Sequence, residues 1–579
     1  MKLFTKLIAS AAVFITMSCC FALSAQAYDP VPIDEEHFPD KALRMYVTAN
    51  FDKDKDKILS DEEISKAAII QITDNSEVSS ADGLQYLPEL VTLKLKGVEG
   101  TIDLSQNSKL EVLSLVGDFK ALDLSTCPNI KELHIFSLSL AELDIDDLTE
   151  LNDLNITAFM LNDIDLSHNT KLTKLWLGDL FSNTGDITGQ DNYTVTHTDD
   201  DDDYVSTNAP MHRPLDLSGN PELTNLNLSH SGFDSIDLSN CSKLEYINIS
   251  GINVLNTLDL NSCTELLGLT VTQCSDLTSL AFDKCSKLEN IDIENVCVTQ
   301  LDLSTAPSLK SFTYATAMIY SDVPIENINF GNCGQLTQLS LTGSKLTSLD
   351  LSNCTQLTTV DISDNLSLNN IKLNCKDTLK SLTVNTSSLY RLDLTDYSSL
   401  TYLSCYENLL SELVISGCTE LQTLYCSNNA LTKLDLSNSP QLYDLDCTSN
   451  HITSIDITQC KYLMELTEEH VQYNEGGIIS YHAPLSSDDG ETVEASLAID
   501  NDVLYNGEEE TSDSVQSEQP AETSKNISDS SKSTIPKGAA IGILGGVGAA
   551  AIAAIVIKIV RSKKKDDDDG PSDDAKPLI

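Results

Sequence analysis

Between Asp52 and Glu63 the oxygen-bearing side chains fall at nearly every second position: Asp52, Asp54, Asp56, Ser60 and Glu63, with Ile58 offering a backbone carbonyl among them. Alternate residues of a tight loop turn toward one point, and carboxylates and carbonyls are the hard oxygen ligands that a divalent cation takes up. Glu63 is placed to close such a site with both oxygens, while Leu59 faces inward. Elements must hold the loop from both sides, and the pattern predicts helices over Pro39 to Phe51 and over Asp61 to Ala68. The plainer alternative is a solvated Asp/Lys run at a helix start. No second constellation offers chemistry of this kind. The nine histidines are dispersed, there is no His-Glu-x-x-His or Gly-x-Ser-x-Gly and no glycine-rich phosphate loop, so the chain reads as a non-enzyme.

The Asp52–Glu63 run resembles the calcium loop of the EF-hand family, which has glycine at the Lys57 position. That resemblance implies one calcium site, formed by Asp52, Asp54, Asp56, Ile58, Ser60 and Glu63 and weakened by Lys57. Dockerin modules carry a duplicated pair of such loops, so the match to them is partial. The longer stretch from Ile33 to Leu95 is similar to the N-terminal region of secreted bacterial leucine-rich repeat proteins, where a helical calcium-loop cap leads into the first coil.

Beyond the cap the chain is a repeat. Leu421, Leu424, Cys426, Asn429 and Leu431 recur 21 positions later as Leu442, Leu445, Cys447, Asn450 and Ile452. An aspartate between two apolar residues marks the copies: Asp103, Asp123, Asp144, Asp165, Asp216, Asp237, Asp259, Asp302, Asp350, Asp393, Asp435 and Asp456, with Ala281, Asn329, Lys372 and Val414 in the same slot elsewhere. The gaps of 51 from Asp165 to Asp216 and 27 from Asp302 to Asn329 predict inserted loops. A unit this short buries no apolar face alone and must stack on its neighbours. The pattern resembles the leucine-rich repeat family, L-x-x-L-x-L-x-x-N/C-x-L. The expected fold is mostly β: a leucine-rich repeat solenoid of about 21-residue coils with parallel strands, a small α-helical EF-hand-like N-terminal cap and a single C-terminal transmembrane helix.

Within that frame the aspartates either cap their own turns or share cations. Cys127, Cys241, Cys263, Cys285, Cys333, Cys354, Cys418 and Cys460 recur at the slot that other copies fill with Asn107, Asn169, Asn220 or Ser439. They are expected as reduced, buried packing residues, although an exported chain ordinarily pairs its thiols. Asn365, Asn408, Asn429 and Asn450 are expected inside, bonding to turn backbone. The outward strand positions carry the candidate ligand contacts: His134, Phe136 and Trp176 early, then Tyr402, Tyr406 and Tyr425 with Asp444 and Asp446 late. Exposed aromatics beside polar groups suit a protein hot spot or a sugar ring, and they also suit strand propensity alone.

With 36 Lys and Arg against 88 Asp and Glu the net charge is −52, which repels nucleic acid. Residues 1–27 read as a signal peptide ending Ala25-Gln26-Ala27. The cap then spans 28–69, the solenoid 70–467 with an insertion at about 179–213, and a C-terminal cap 468–506. Residues 507–537 read as a disordered acidic, Ser-rich stalk, 538–560 as a transmembrane helix and 561–579 as a cytoplasmic tail whose basic start sets a type I topology in the cell membrane. Gly538, Gly542 and Gly546 share the spacing by which membrane helices associate with themselves. The expectation is a cell-surface binding or adhesion protein contacting an extracellular protein or glycan; the alternative is a structural surface-layer component making lateral repeat contacts.

Overall fold

The computed structural model describes residues 27–505 except 74–75, 159–163, 179–212, 317–323, 470–472, 476–477, 487–491 and 501–502. The stretches read above as signal peptide, acidic insertion, stalk, transmembrane helix and tail lie outside these residues, apart from Ala27 and Arg213 at two edges. Among the described residues no helix is long and apolar enough to cross a membrane. All of them belong to the first of two units, Met1–Glu509.

The chain opens with the helix Lys41–Asn50, started by Asp40, whose Oδ1 accepts the Leu43 amide at 2.9 Å. Its apolar face buries Leu43 and Val47. After the loop, the two-residue strand Ile58–Leu59 pairs antiparallel with Val31–Pro32. The second helix is shorter than its sequence pattern predicts: Asp61–Ile64 is one turn, held by a capping box between Ser60 and Glu63. It stops because the Ala68 carbonyl already accepts the amides of Val91 and Thr92, which draws the chain into the first coil.

From Ile69–Ile72 onward each coil adds a strand to one parallel ladder. Equivalent leucines stand opposite one another, as in Leu154, Leu175 and Leu226. They are buried, each side chain stabilising the stack by roughly 1.5–3 kcal/mol. The long insertion leaves the ladder unbroken, since Lys174–Gly178 pairs directly with Asn225–Ser229. Among the described residues the end strands Ile69–Ile72 and Tyr473–Glu475 each have one neighbour, so the ladder does not close on itself there. On the far side of the coils the Leu-Asp-Leu segments form short parallel pairs such as Ser348–Leu351 with Asn370–Leu373. The structure is thus a mostly β, parallel-strand solenoid with few helices.

Strand length falls along the chain, from eight residues in Thr92–Glu99 to three in Tyr402–Ser404, Thr423–Tyr425 and Asp444–Asp446. A column of left-handed residues ends the late strands, Asp364, Thr386, Glu407, Asn428 and Ser449, with φ between 51° and 58°. Buried asparagines stand next to most of that column. Asn429 Nδ2 donates to the carbonyls of Cys405, Cys426 and Ser427 at 2.9–3.2 Å, while its Oδ1 accepts the Leu410 amide at 2.9 Å. Asn365, Asn408 and Asn450 repeat the arrangement, each tying its coil to the one before.

The cysteine slot forms a second internal column. Asn220 Nδ2 donates to the Leu166 and Asn169 carbonyls, and one coil on the Cys241 thiol approaches the Leu217 carbonyl at 3.3 Å. The Oδ1 atoms of Asn107, Asn169 and Asn220 are buried without a partner, so the slot uses only a donor, which a thiol supplies. The cysteines of this slot form no disulfide, and burial pushes the Cys241 and Cys263 thiols up to about 12.

Past the last coil, the helix Lys461–Glu469 begins within the stretch read as solenoid from the sequence. The strand Thr492–Asp500 then joins Asp444–Asp446 in parallel and pairs antiparallel with Ile478–Ser486.

Candidate functional site

The loop between the first two helices is built by its own backbone. Asp52 is buried; its Oδ1 accepts the Lys55 amide at 2.6 Å and its Oδ2 the Lys57 amide at 3.1 Å. Both lysines take the left-handed conformation, Lys57 at φ 66°, at a cost of about 1–2 kcal/mol for a side chain there. Glu63, also buried, accepts the Lys53 amide at 2.6 Å through Oε1 and the Ser60 amide at 2.9 Å through Oε2. Burial alone raises the Glu63 carboxyl, but the amide bonds from Ser60 and Lys53 outweigh it and hold it below its usual range.

The structure brings carboxylate oxygens of Asp52, Asp54 and Glu63 within 4.8 Å of one another. Asp56 stays outside that group and accepts the Ile58 amide at 2.7 Å. The Ser60 hydroxyl is turned onto Glu63 Oε2 at 2.8 Å. An all-oxygen donor set around two buried carboxylates fits a hard cation such as calcium.

The remaining candidates stand on the solvent face of the main sheet, in two groups on the order of 40 Å apart along the ladder at about 4.8 Å per strand. In the early group His134, Asn155 and Trp176 occupy one register row, with Phe136 two positions along. His134 Nε2 lies 3.4 Å from Asp153 Oδ1, and Lys174 Nζ reaches Asp153 Oδ2 at 3.2 Å. The His134 contact, with help from Lys174, keeps the Asp153 carboxyl below its ordinary range. Sequence reasoning missed Asp153 and Lys174, whose register 21 positions apart was the available signal.

In the late group the Tyr402 and Tyr425 rings meet edge to face, 6.0 Å between centroids. The Tyr425 hydroxyl donates to Asp444 Oδ2. Burial, then that bond, raises the Tyr425 phenol, and burial raises the Asp444 carboxyl. Asp446 instead caps its own turn, accepting the Thr448 amide at 3.0 Å. Ser496 and His482 continue the Asp444 row onto the C-terminal hairpin, an extension the repeat pattern did not reveal. Tyr406, four residues beyond Tyr402 on the same coil, is exposed, as is Leu409 after it.

The repeated aspartates resolve toward capping. Asp103, Asp165, Asp216, Asp350 and Asp456 each accept the amide two residues on at 2.9–3.0 Å, as their equivalents do.

A family model described as leucine-rich repeats (two copies) matches residues 419–459. Among solved structures, the functional domain of InlJ from Listeria monocytogenes, described as including a cysteine ladder, is 18% identical with a TM-score of 0.54. The match covers 82% of this chain and 100% of that one. The chain carries the leucine-rich repeat fold. An internalin (inlF) of the same organism is 20% identical over 75% of this chain and 96% of its own, TM-score 0.33. YopM from Yersinia enterocolitica is 17% identical over 78% and 92%, TM-score 0.36. No curated protein matches in sequence.

Proposed function

We propose that this chain is a cell-surface binding protein: an exported repeat ectodomain, held in the cell membrane by residues 538–560, that contacts an extracellular protein through the solvent face of its main sheet. One observation carries this reading. The ladder devotes its inward positions to leucine and leaves an unbroken outward face on which half-buried aromatics and carboxylates converge at Tyr402, Tyr425 and Asp444. A face built of short strands locked by internal asparagines is preformed, so little ordering entropy opposes binding there.

The test is a screen of the displayed ectodomain against extracellular proteins and glycans. Saturable binding lost on Tyr425→Ala supports the reading. Binding indifferent to every sheet-face change, or calcium-dependent self-assembly without any ligand, favours a surface-layer component and overturns it.

The N-terminal loop has a supporting part in this proposal. Asp52, Asp54 and Glu63 would hold one calcium ion, which neutralises three crowded carboxylates and fixes the cap over the first coil; the chain's own amides already orient Asp52 and Glu63 for it. Calcium should raise the melting temperature by mass action on the folded cap. A shift that survives Asp52→Asn with Glu63→Gln would remove the loop from the account.

A further inference from the structure

From Asn225–Ser229 to Asp444–Asp446 no strand of the main sheet carries a lysine or arginine, while Asp292, Glu294, Asp361, Asp444 and Asp446 all stand on it. The chain's cations are spent elsewhere. Where the turns lead into the strands, Lys109 meets Glu89, Lys131 meets Glu111, Lys171 meets Glu150, Lys243 meets Glu222 and Lys310 meets Glu289, at 2.5–2.8 Å, and Lys287 pairs with Glu265 in the same way. Asp292 shows the contrast most sharply: flanked across the ladder by Thr270 and Thr313, it has a buried Oδ1 with no hydrogen-bond partner. Among the described residues these sheet carboxylates have no lysine or arginine partner; Asp361 and Asp446 accept only from Ser363 and Thr448 of their own turns, and Asp444 accepts from the Tyr425 hydroxyl.

Next to the last of these carboxylates lie two aromatic rings at an angle of 88°, one presenting a face and the other an edge. A planar guanidinium stacks on an aromatic face while its N–H groups reach carboxylate oxygens, and Asp444 and Asp446 flank the Tyr425 ring on the adjacent strand. In the segments that follow the strands of the same coils Leu366, Tyr390, Tyr406 and Leu409 are exposed by 55%, 60%, 36% and 46%. A free metal ion or a small polyamine has no use for that apolar border; a protein segment does. A second copy of this chain, at −52, is repelled.

We propose that the sheet face from Asp361 to Asp446 binds a basic segment of a partner protein, seating an arginine against Tyr402 and Tyr425 with its N–H groups on Asp444 and Asp446. This deepens the binding reading above and rests on it.

The experiment titrates the purified full chain with fluorescent peptides holding four arginines, four lysines or four glutamines between Gly-Ser flanks, at near-physiological salt. The arginine peptide should bind saturably and several-fold tighter than the lysine peptide. Asp444→Asn with Asp446→Asn should weaken it about tenfold, and Tyr402→Leu about threefold. The flank pair Glu222→Gln with Glu265→Gln removes the same charge and should change affinity less than twofold. Equal weakening by both pairs means general attraction to an acidic chain and overturns the proposal. Should the Asp444/Asp446 variant melt early, Tyr402→Leu and the arginine-to-lysine ratio decide instead, and no change in either overturns it. If the glutamine peptide or a glycan binds and is lost on Tyr402→Leu while arginine is ignored, the binding face stands and the cationic assignment falls. If no probe responds to any sheet-face variant, both fall.

Discussion

Asp350 and Asp292 come from the same kind of coil and are treated oppositely. On the outer turns Asp350 accepts from the Ser352 hydroxyl and amide and from Lys372, and its carboxyl is held down to about 2. On the sheet face Asp292 has Thr270 and Thr313 across the ladder and Glu294 along its own strand, and burial followed by the Glu294 charge pushes it up to about 6. The turns bind their charges to themselves. The sheet gives its carboxylates hydrogen bonds at most and no lysine or arginine among the described residues, and at Asp292 it leaves Oδ1 without a partner.

The largest effects should come from the two internal columns beneath these faces. Behind the sheet face, Asn429 uses both ends of its amide, so Asn429→Cys should destabilise by about 3 kcal/mol, because a buried amide and several carbonyls lose their partners. Beneath the turns, Asn220 uses only its donor. Asn220→Cys, which reproduces what neighbouring coils already do, should change stability by less than about 1 kcal/mol. Urea melts of the two variants compare the columns directly, and equal losses would break the distinction.

Next in size is the titration of Asp292. Its folded pKa lies above the unfolded value, so the folded state holds its proton longer and stability falls as pH rises from about 4 to about 6. Asp292→Asn should therefore stabilise at pH 7 by on the order of 1 kcal/mol, after allowance for partial exposure, and by nothing below pH ~4. Asp350 has the opposite sign: its contribution is present above the unfolded pKa of 3.8 and is lost as pH falls toward 2. Melting curves of Asp292→Asn and Asp350→Asn against pH should diverge in these directions, and parallel curves would contradict the contrast.

The smallest effects concern single cations. Thr383 stands across from Asp361, so Thr383→Lys should stabilise by about 0.5 kcal/mol by placing a cation beside a carboxylate that otherwise accepts only from Ser363. Lys243→Gln, which removes an exposed flank pair, should cost under about 1 kcal/mol. A destabilising Thr383→Lys would show that the sheet charges are already balanced.

Much of this architecture was readable beforehand because a repeat multiplies its own signal. Leu421, Leu424, Leu442 and Leu445 declare the inward row, and the aspartate column declares the turn. The buried asparagines were legible for the same reason. The loop was legible in its spacing, but spacing does not tell that Asp56 turns onto the Ile58 amide while Asp52, Asp54 and Glu63 draw together. The helix Lys461–Glu469 and the hairpin that extends the Asp444 row lie where the repeat ends and its signal with it. Asp292 was invisible for a different reason: a lone aspartate on a polar strand looks like any other until its neighbours across the ladder are known to be threonines.

Carbodiimide footprinting of carboxylates, read by mass spectrometry with and without saturating arginine peptide, tests the claim about the sheet face most directly. The account predicts protection of Asp361, Asp444 and Asp446 with Glu150, Glu222 and Glu265 unchanged. Protection spread evenly over both sets would contradict it.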